Sequence, residues 1–211
     1  MSPGGADPLV GGRSPDRPSA GGRRGRRPRT VGSAPHFIFE DTAYEPRVRR
    51  ALGRLPPMAG APIRIETAHG LRDRHGEAHA AAFPRERRMV FDSSPAEFRR
   101  IFVHELFHFV WLRKGNAARR SYEDLVKAEC LAGLPGELGW SAEWRKLALD
   151  ARDIQTRGRR WREYCCESFC DSAAWLYSGV ERHAEFTLAA RPRNRRRAWF
   201  AKTVEGGVLS I

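Results

Sequence analysis

The chain of 211 residues has no apolar run long enough to cross a bilayer. Its first residues lack the apolar core, roughly 7–15 residues long, of a secretion signal. No membrane partner is expected, and a cytoplasmic location is. Cysteine is scarce: Cys130, Cys165, Cys166 and Cys170, three of them within six positions. A secreted disulfide framework spreads its cysteines more widely, so reduced thiols fit better. Lysine is nearly absent, supplying 4 of 38 basic residues. The formal net charge of +13 is therefore carried by arginine, alongside much alanine, glycine and proline. That pattern reflects a GC-rich coding bias, and nucleic acid is not expected as a main partner despite basic runs at both ends.

Aromatic residues are missing from positions 1–35, which hold seven Arg against Asp7 and Asp16. Such a segment cannot bury enough apolar surface to offset its ordering entropy. It is expected to be a disordered basic tail, followed by one domain over 36–211. Internal repeats are also lacking, and the oligomeric state is not legible.

What is present centres on Ile101 to Trp111, which contains His104-Glu105-Leu106-Phe107-His108. The spacing predicts a helix from about Pro95 to Lys114, with Ser94 as N-cap, Glu97 completing a capping box, and Gly115 as stop. Its residues are apolar nearly all round, so it should be central and buried. On a helix, residues four apart share a face, so His104 and His108 can present two imidazoles to one ion. Glu105 on the flank can reach a water bound to it. This is the zinc-hydrolase arrangement of two His ligands and a Glu general base.

A catalytic zinc takes a third protein ligand. Trp111 and Lys114 stand where the longer metzincin motif has Gly and His, so the ligand must come from elsewhere. The candidate is Glu167, on a helix expected from Trp161 to Tyr177, with Asp171 four residues on and on the same face. Carboxylates among Phe169, Cys170, Ala173 and Trp175 are costly unless paired or metal-bound. The competitor is Glu129, 21 residues after His108. Cys166 and Cys170 are a further possible soft-ligand pair, which would make a structural zinc site. Tyr164, Tyr177 and His183 are the candidate oxyanion donors.

The rest predicts strands at 36–39, 61–67, 77–83 and 88–92, a helix over 44–55, then only helices, at 121–132, near 141 and over 194–204. That order gives an α+β fold, a small mostly antiparallel or mixed sheet packed on a helical half carrying the motif helix.

The pairing of His104-Glu105-Leu106-Phe107-His108 with Glu167-Ser168-Phe169-Cys170-Asp171 resembles the gluzincins of the thermolysin-like clan, in a small single-domain form. There is also some similarity to ImmA/IrrE-type peptidases. The resemblance implies a zincin-like fold and zinc-dependent hydrolysis of a peptide or protein substrate. It implies Zn2+ held by His104, His108 and Glu167, Asp171 buttressing His104, and Glu105 as base. The alternative is a regulatory or binding protein on the same scaffold without turnover.

Overall fold

A computed structural model describes residues 37–73, 76–92 and 97–211. The expected tail, and the expected cap at Ser94 and Pro95, lie outside the described residues.

Two β-branched residues at alternate positions make β3 (Ile63–Ala68) a half-buried strand, with Ile63 and Ile65 pointing into the core. It pairs in parallel with β1 (Phe37–Phe39), Phe37 opposite Ile63. On its other side it runs parallel to β7 (Arg88–Asp92), Ile65 opposite Met89. β6 (Ala80–Phe83) folds back antiparallel on β7 through a turn in which Arg87 takes the left-handed conformation, φ 55°. The sheet order is β1-β3-β7-β6, which makes β6 an edge. The sheet is mixed, since two of its three pairings are parallel.

The helix α1 (Glu45–Leu52) is shorter than expected, ending at Gly53 before the Pro56-Pro57 pair. The expected strand over 77–83 is two pieces. β5 (Gly76–Glu77) pairs with β4 (Arg72–Asp73), and only Ala80–Phe83 joins the main sheet. A strand not foreseen, β8 (Leu209–Ser210), pairs in parallel with β2 (Met58–Ala59) and brings buried Ile211 against Gly60. The chain therefore does not end on helices alone. Nothing local to a two-residue strand announces so distant a partner.

The motif helix, α2 (Phe98–Arg113), is buried over most of its circumference, as its composition requires. Phe98 and Phe102 pack on Phe91 and Tyr44 beneath the sheet, and Phe107 and Trp111 pack on Phe169 of α6 (Arg159–Tyr177). α2 ends at Lys114, which turns extended, and Gly115 precedes α3 (Asn116–Leu131), so Ser121 sits inside α3 rather than capping it. α4 (Trp140–Leu147) and α5 (Ala151–Thr156) follow, the latter with a reciprocal Asp150/Asp153 capping box. α7 (Ala190–Thr203) closes the helical half over Tyr122 and Phe169 with Trp199 and Phe200. The fold is α+β and zincin-like, a mixed sheet on helices that include the His104–Glu105–His108 helix. Among the described residues no helix is long and apolar enough to cross a membrane.

One charged cluster lies fully inside the helical half. Arg196 of α7 donates to Glu129 at 2.6 Å and to Glu137 at 2.6 Å, all three being fully buried. Lys146 Nζ stands 3.3 Å from Glu137, which brings the group to formal neutrality. Tyr164 donates to Glu137, and Ser168 and Ser172 join from the same stripe of α6. Burial pushes the Glu137 carboxyl up, but Arg196 and Lys146 outweigh it and hold it below the usual range.

Candidate metal centre

α6 carries three adjacent stripes at four-residue spacing: Cys166 and Cys170, Glu167 and Asp171, Ser168 and Ser172. The hydroxyl stripe belongs to the Arg196 cluster, with Tyr122 donating to the Ser168 carbonyl at 2.9 Å. That leaves the carboxylates and thiols facing α2, which is α6's main packing partner.

His104 and His108 lie one turn apart with ring centroids separated by 5.1 Å. The ligand atoms of His104, Glu105 and His108 all fall within 4.8 Å of one another. Glu167 Oε2 stands 3.2 Å from His104 Nε2 and 3.9 Å from His108 Nε2. Donors about 2.0–2.1 Å from a tetrahedral ion are separated from one another by about 3.3–3.4 Å. Glu167 Oε2 matches that spacing from His104 Nε2 and stands about half an ångström beyond it from His108 Nε2.

The outer faces of the rings are held as well. Asp171 Oδ1 is 2.7 Å from His104 Nδ1, with the Asp171 side chain 3% exposed. Its other oxygen accepts the Ala142 backbone N–H at 3.0 Å, at the first turn of α4. Cys166 Sγ is 3.4 Å from His108 Nδ1. Each imidazole thus has a partner on Nδ1 and turns Nε2 inward, which fixes the ring and its tautomer.

The electrostatics favour a cation. Glu105, Glu167 and Asp171 border the histidines, and the Arg145 guanidinium pairs with Glu167, so apart from the imidazoles these four groups carry three negative formal charges against one positive. Burial pushes the His104 imidazole down, but Asp171 and Glu167 outweigh it and hold it well above its usual range. His108 rises to about 9, against burial, through Cys166 and Glu167. Glu167 falls to about 2, its burial outweighed by the two histidines and Arg145. A site that holds protons this firmly presents the same field to a metal ion, whose binding displaces them.

A cleft of about 550 Å3 opens over the cluster. The edge strand β6 forms one wall, and Trp140, Trp144 and Arg145 of α4 face it. Glu105 is 8% exposed and lines this cleft.

Three expected oxyanion donors are engaged elsewhere. Tyr164 donates to Glu137 at 2.6 Å, Tyr177 donates to Glu205 at 3.2 Å, and His183 pairs with Glu97. Glu129 is bound to Arg196 inside the helical half. Two contributors escaped sequence reasoning. Arg145 Nη2 is 3.2 Å from Glu167 Oε1, the oxygen turned away from His104, and its guanidinium stacks on Trp144 at 4.2 Å. Gly139, immediately before α4, lies so close to Asp171 that a Cβ there would overlap the carboxylate. Its φ of −178° is ordinary extended backbone, so the glycine serves the approach rather than the conformation. The only sequence signal was the Gly136-Glu137-Leu138-Gly139-Trp140 break ahead of a helix.

Comparisons with protein-family models, with curated proteins and with solved structures find no match to this chain. The His-Glu-x-x-His cluster on a zincin-like helix arrangement is a zinc-peptidase-type site, and it rests on this geometry alone.

Proposed function

We propose that residues 36–211 form a zinc metallopeptidase domain of the gluzincin type, with His104, His108 and Glu167 as metal ligands and Glu105 as general base. The observation that carries the reading is the convergence of three inward donors, His104 Nε2, His108 Nε2 and Glu167 Oε2, beneath an open cleft beside Glu105. A structural zinc site is closed and needs no adjacent carboxylate base, whereas this one opens onto solvent-accessible space. The ImmA/IrrE-type likeness stays at the level of size and of a downstream Glu near Ala and aromatic residues.

A bound zinc ion supplies Lewis-acid polarisation of the scissile carbonyl and lowers the pKa of its water. The protein does the rest. Glu105 takes the proton from the attacking water and delivers it to the leaving amine nitrogen. Asp171 holds the Nδ1 proton of His104, which keeps Nε2 free for the metal and raises its basicity. Arg145 holds Glu167 Oε1, leaving Oε2 as the oxygen aimed inward. An extended peptide pairs with the free edge of β6, which places its backbone along the cleft.

The test is digestion of a broad peptide library by the zinc-loaded protein, with and without chelator, beside Glu105→Gln. The expected result is chelator-sensitive cleavage that Glu105→Gln loses while retaining its zinc. Cleavage undiminished in Glu105→Gln would refute the base assignment. A zinc-loaded wild type that cuts nothing across the library would favour the binding-scaffold reading.

A further inference from the structure

The centre described above uses one ring nitrogen of His108. The other faces the thiol stripe of α6. Cys166 Sγ is 3.4 Å from His108 Nδ1, and Cys166 Sγ, Cys170 Sγ and His108 Nδ1/Nε2 supply three donor atoms within 4.8 Å of one another. We propose a second metal site here, for a thiophilic divalent cation such as Zn2+ in excess or Cd2+, formed by His108 Nδ1, Cys166 and Cys170. It shares the His108 imidazole with the first centre.

Three observations support it. The first is distance: a nitrogen and a sulfur on one tetrahedral zinc, at about 2.0–2.1 and 2.3 Å, are separated by about 3.6 Å, close to the 3.4 Å found. The second is charge. Two thiolates and the imidazolate face a divalent ion, so that filling the site changes the formal charge by only one unit in a region where Cys170 is fully buried. Soft sulfur also selects such ions over Mg2+ or Ca2+. The third is access. Cys166 and His108 both line the cleft, so a cation meets two of the three donors from its open side, with Cys170 one turn further in.

Binding releases the two thiol protons and the Nδ1 proton of His108 to solvent, leaving an imidazolate between two ions. Filling this site removes the Nδ1–H that bonds Cys166 and so changes the donor that His108 offers the first centre. The two sites are then coupled, and by linkage each alters the other's affinity by the same factor.

The inference rests on the zinc-peptidase reading only for the identity of the first site. The test is anaerobic titration of the reduced, full-length protein with Co2+, followed by the thiolate-to-cobalt charge-transfer band in the near ultraviolet. Wild type should bind two equivalents, with the band tracking one of them. His104→Ala should bind one equivalent and keep the band. Cys166→Ser/Cys170→Ser should bind one equivalent without it, and Cys130→Ser should match wild type. Absence of the band in wild type overturns the proposal, whether or not any variant folds. So does a band that persists in Cys166→Ser/Cys170→Ser. Two equivalents retained in His104→Ala would count against the first centre's ligand set and leave the thiol site standing.

Discussion

Gly139→Ala adds a single methyl group 32 residues before Asp171 in sequence, yet it should act on the metal centre. The extended backbone at Gly139 admits alanine without strain, so the effect is steric alone. The new Cβ overlaps the Asp171 carboxylate, which must withdraw by about 1 Å to reach ordinary van der Waals separation. The Asp171–His104 contact is 2.7 Å and the Asp171–Ala142 contact 3.0 Å. A shift of that size carries both past the hydrogen-bonding limit of about 3.2 Å. Removing such a carboxylate–histidine contact weakens metal binding by about 10–100-fold. That range corresponds to about 1.4–2.8 kcal/mol. If α4 moves instead, Arg145 leaves Glu167 with it, and the loss has the same sign.

The assay is zinc competition with a chromophoric chelator, run with thermal unfolding of the metal-free protein to separate folding from affinity. The deciding arm is the cycle with Asp171→Ala, which removes the atoms that Gly139→Ala strikes. In that background Gly139→Ala should become nearly neutral, giving a coupling energy close to its whole single-variant cost. Equal losses with and without Asp171 would refute the steric argument. Unchanged affinity in Gly139→Ala itself would refute the placement of Asp171 as a determinant of the site.

Further expectations come from the same contacts. Arg145→Met should weaken zinc binding by up to about tenfold, and Arg145→Lys should not restore it because a single ammonium cannot both bond Glu167 and stack on Trp144; chelator competition reads both. Arg196→Leu leaves Glu129 and Glu137 buried against each other and should cost about 3–5 kcal/mol by urea denaturation. Glu137 is a carboxyl held below its usual value, so its contribution is complete above the ordinary carboxyl pKa and lost as pH falls through the lowered one. The denaturation midpoint should therefore drop on acidification below about pH 4, with a shallower drop in Glu137→Gln. Deletion of residues 1–35 should leave melting temperature and zinc content unchanged, because the segment has no core-forming aromatics; calorimetry and metal analysis decide it.

The parts of the site that could be read from the sequence are those that a single helix places. His104 and His108 share a face because of 3.6-residue periodicity, and the same periodicity sets Glu167 and Asp171 together on α6. The strand alternation of Ile63 and Ile65 was legible for the same reason. What was not legible depends on elements meeting. Arg145 reaches Glu167 only because α4 lies across α6, and Gly139 matters only because of that approach. β8 has two residues and a partner some 150 positions away. The expected oxyanion donors failed on the same ground, since Tyr164 and Tyr177 have suitable hydroxyls but lie on faces of α6 turned to Glu137 and Glu205.

The buried Arg196 cluster connects these two kinds of information. A helix packed only through apolar side chains can rotate about its axis at modest cost, since hydrophobic contact has no direction. α6 cannot, because Tyr164, Ser168 and Ser172 must meet Glu137, Tyr122 and Arg196, and a fully buried polar group without a partner is expensive. Glu167 and Asp171 follow Tyr164 and Ser168 by three residues, so the hydroxyl stripe fixes the angle at which the carboxylates leave the helix. A rotation of one residue, about 100°, would bring the thiol or hydroxyl stripe under the histidines instead. The costly ion cluster thus sets the rotation of the helix that completes the metal centre. It follows that replacing Arg196, Glu129 and Glu137 together with apolar residues, which also takes the acceptor from Tyr164, should lower zinc affinity. A triple variant that binds zinc as tightly as wild type would show that apolar packing alone sets the rotation of α6.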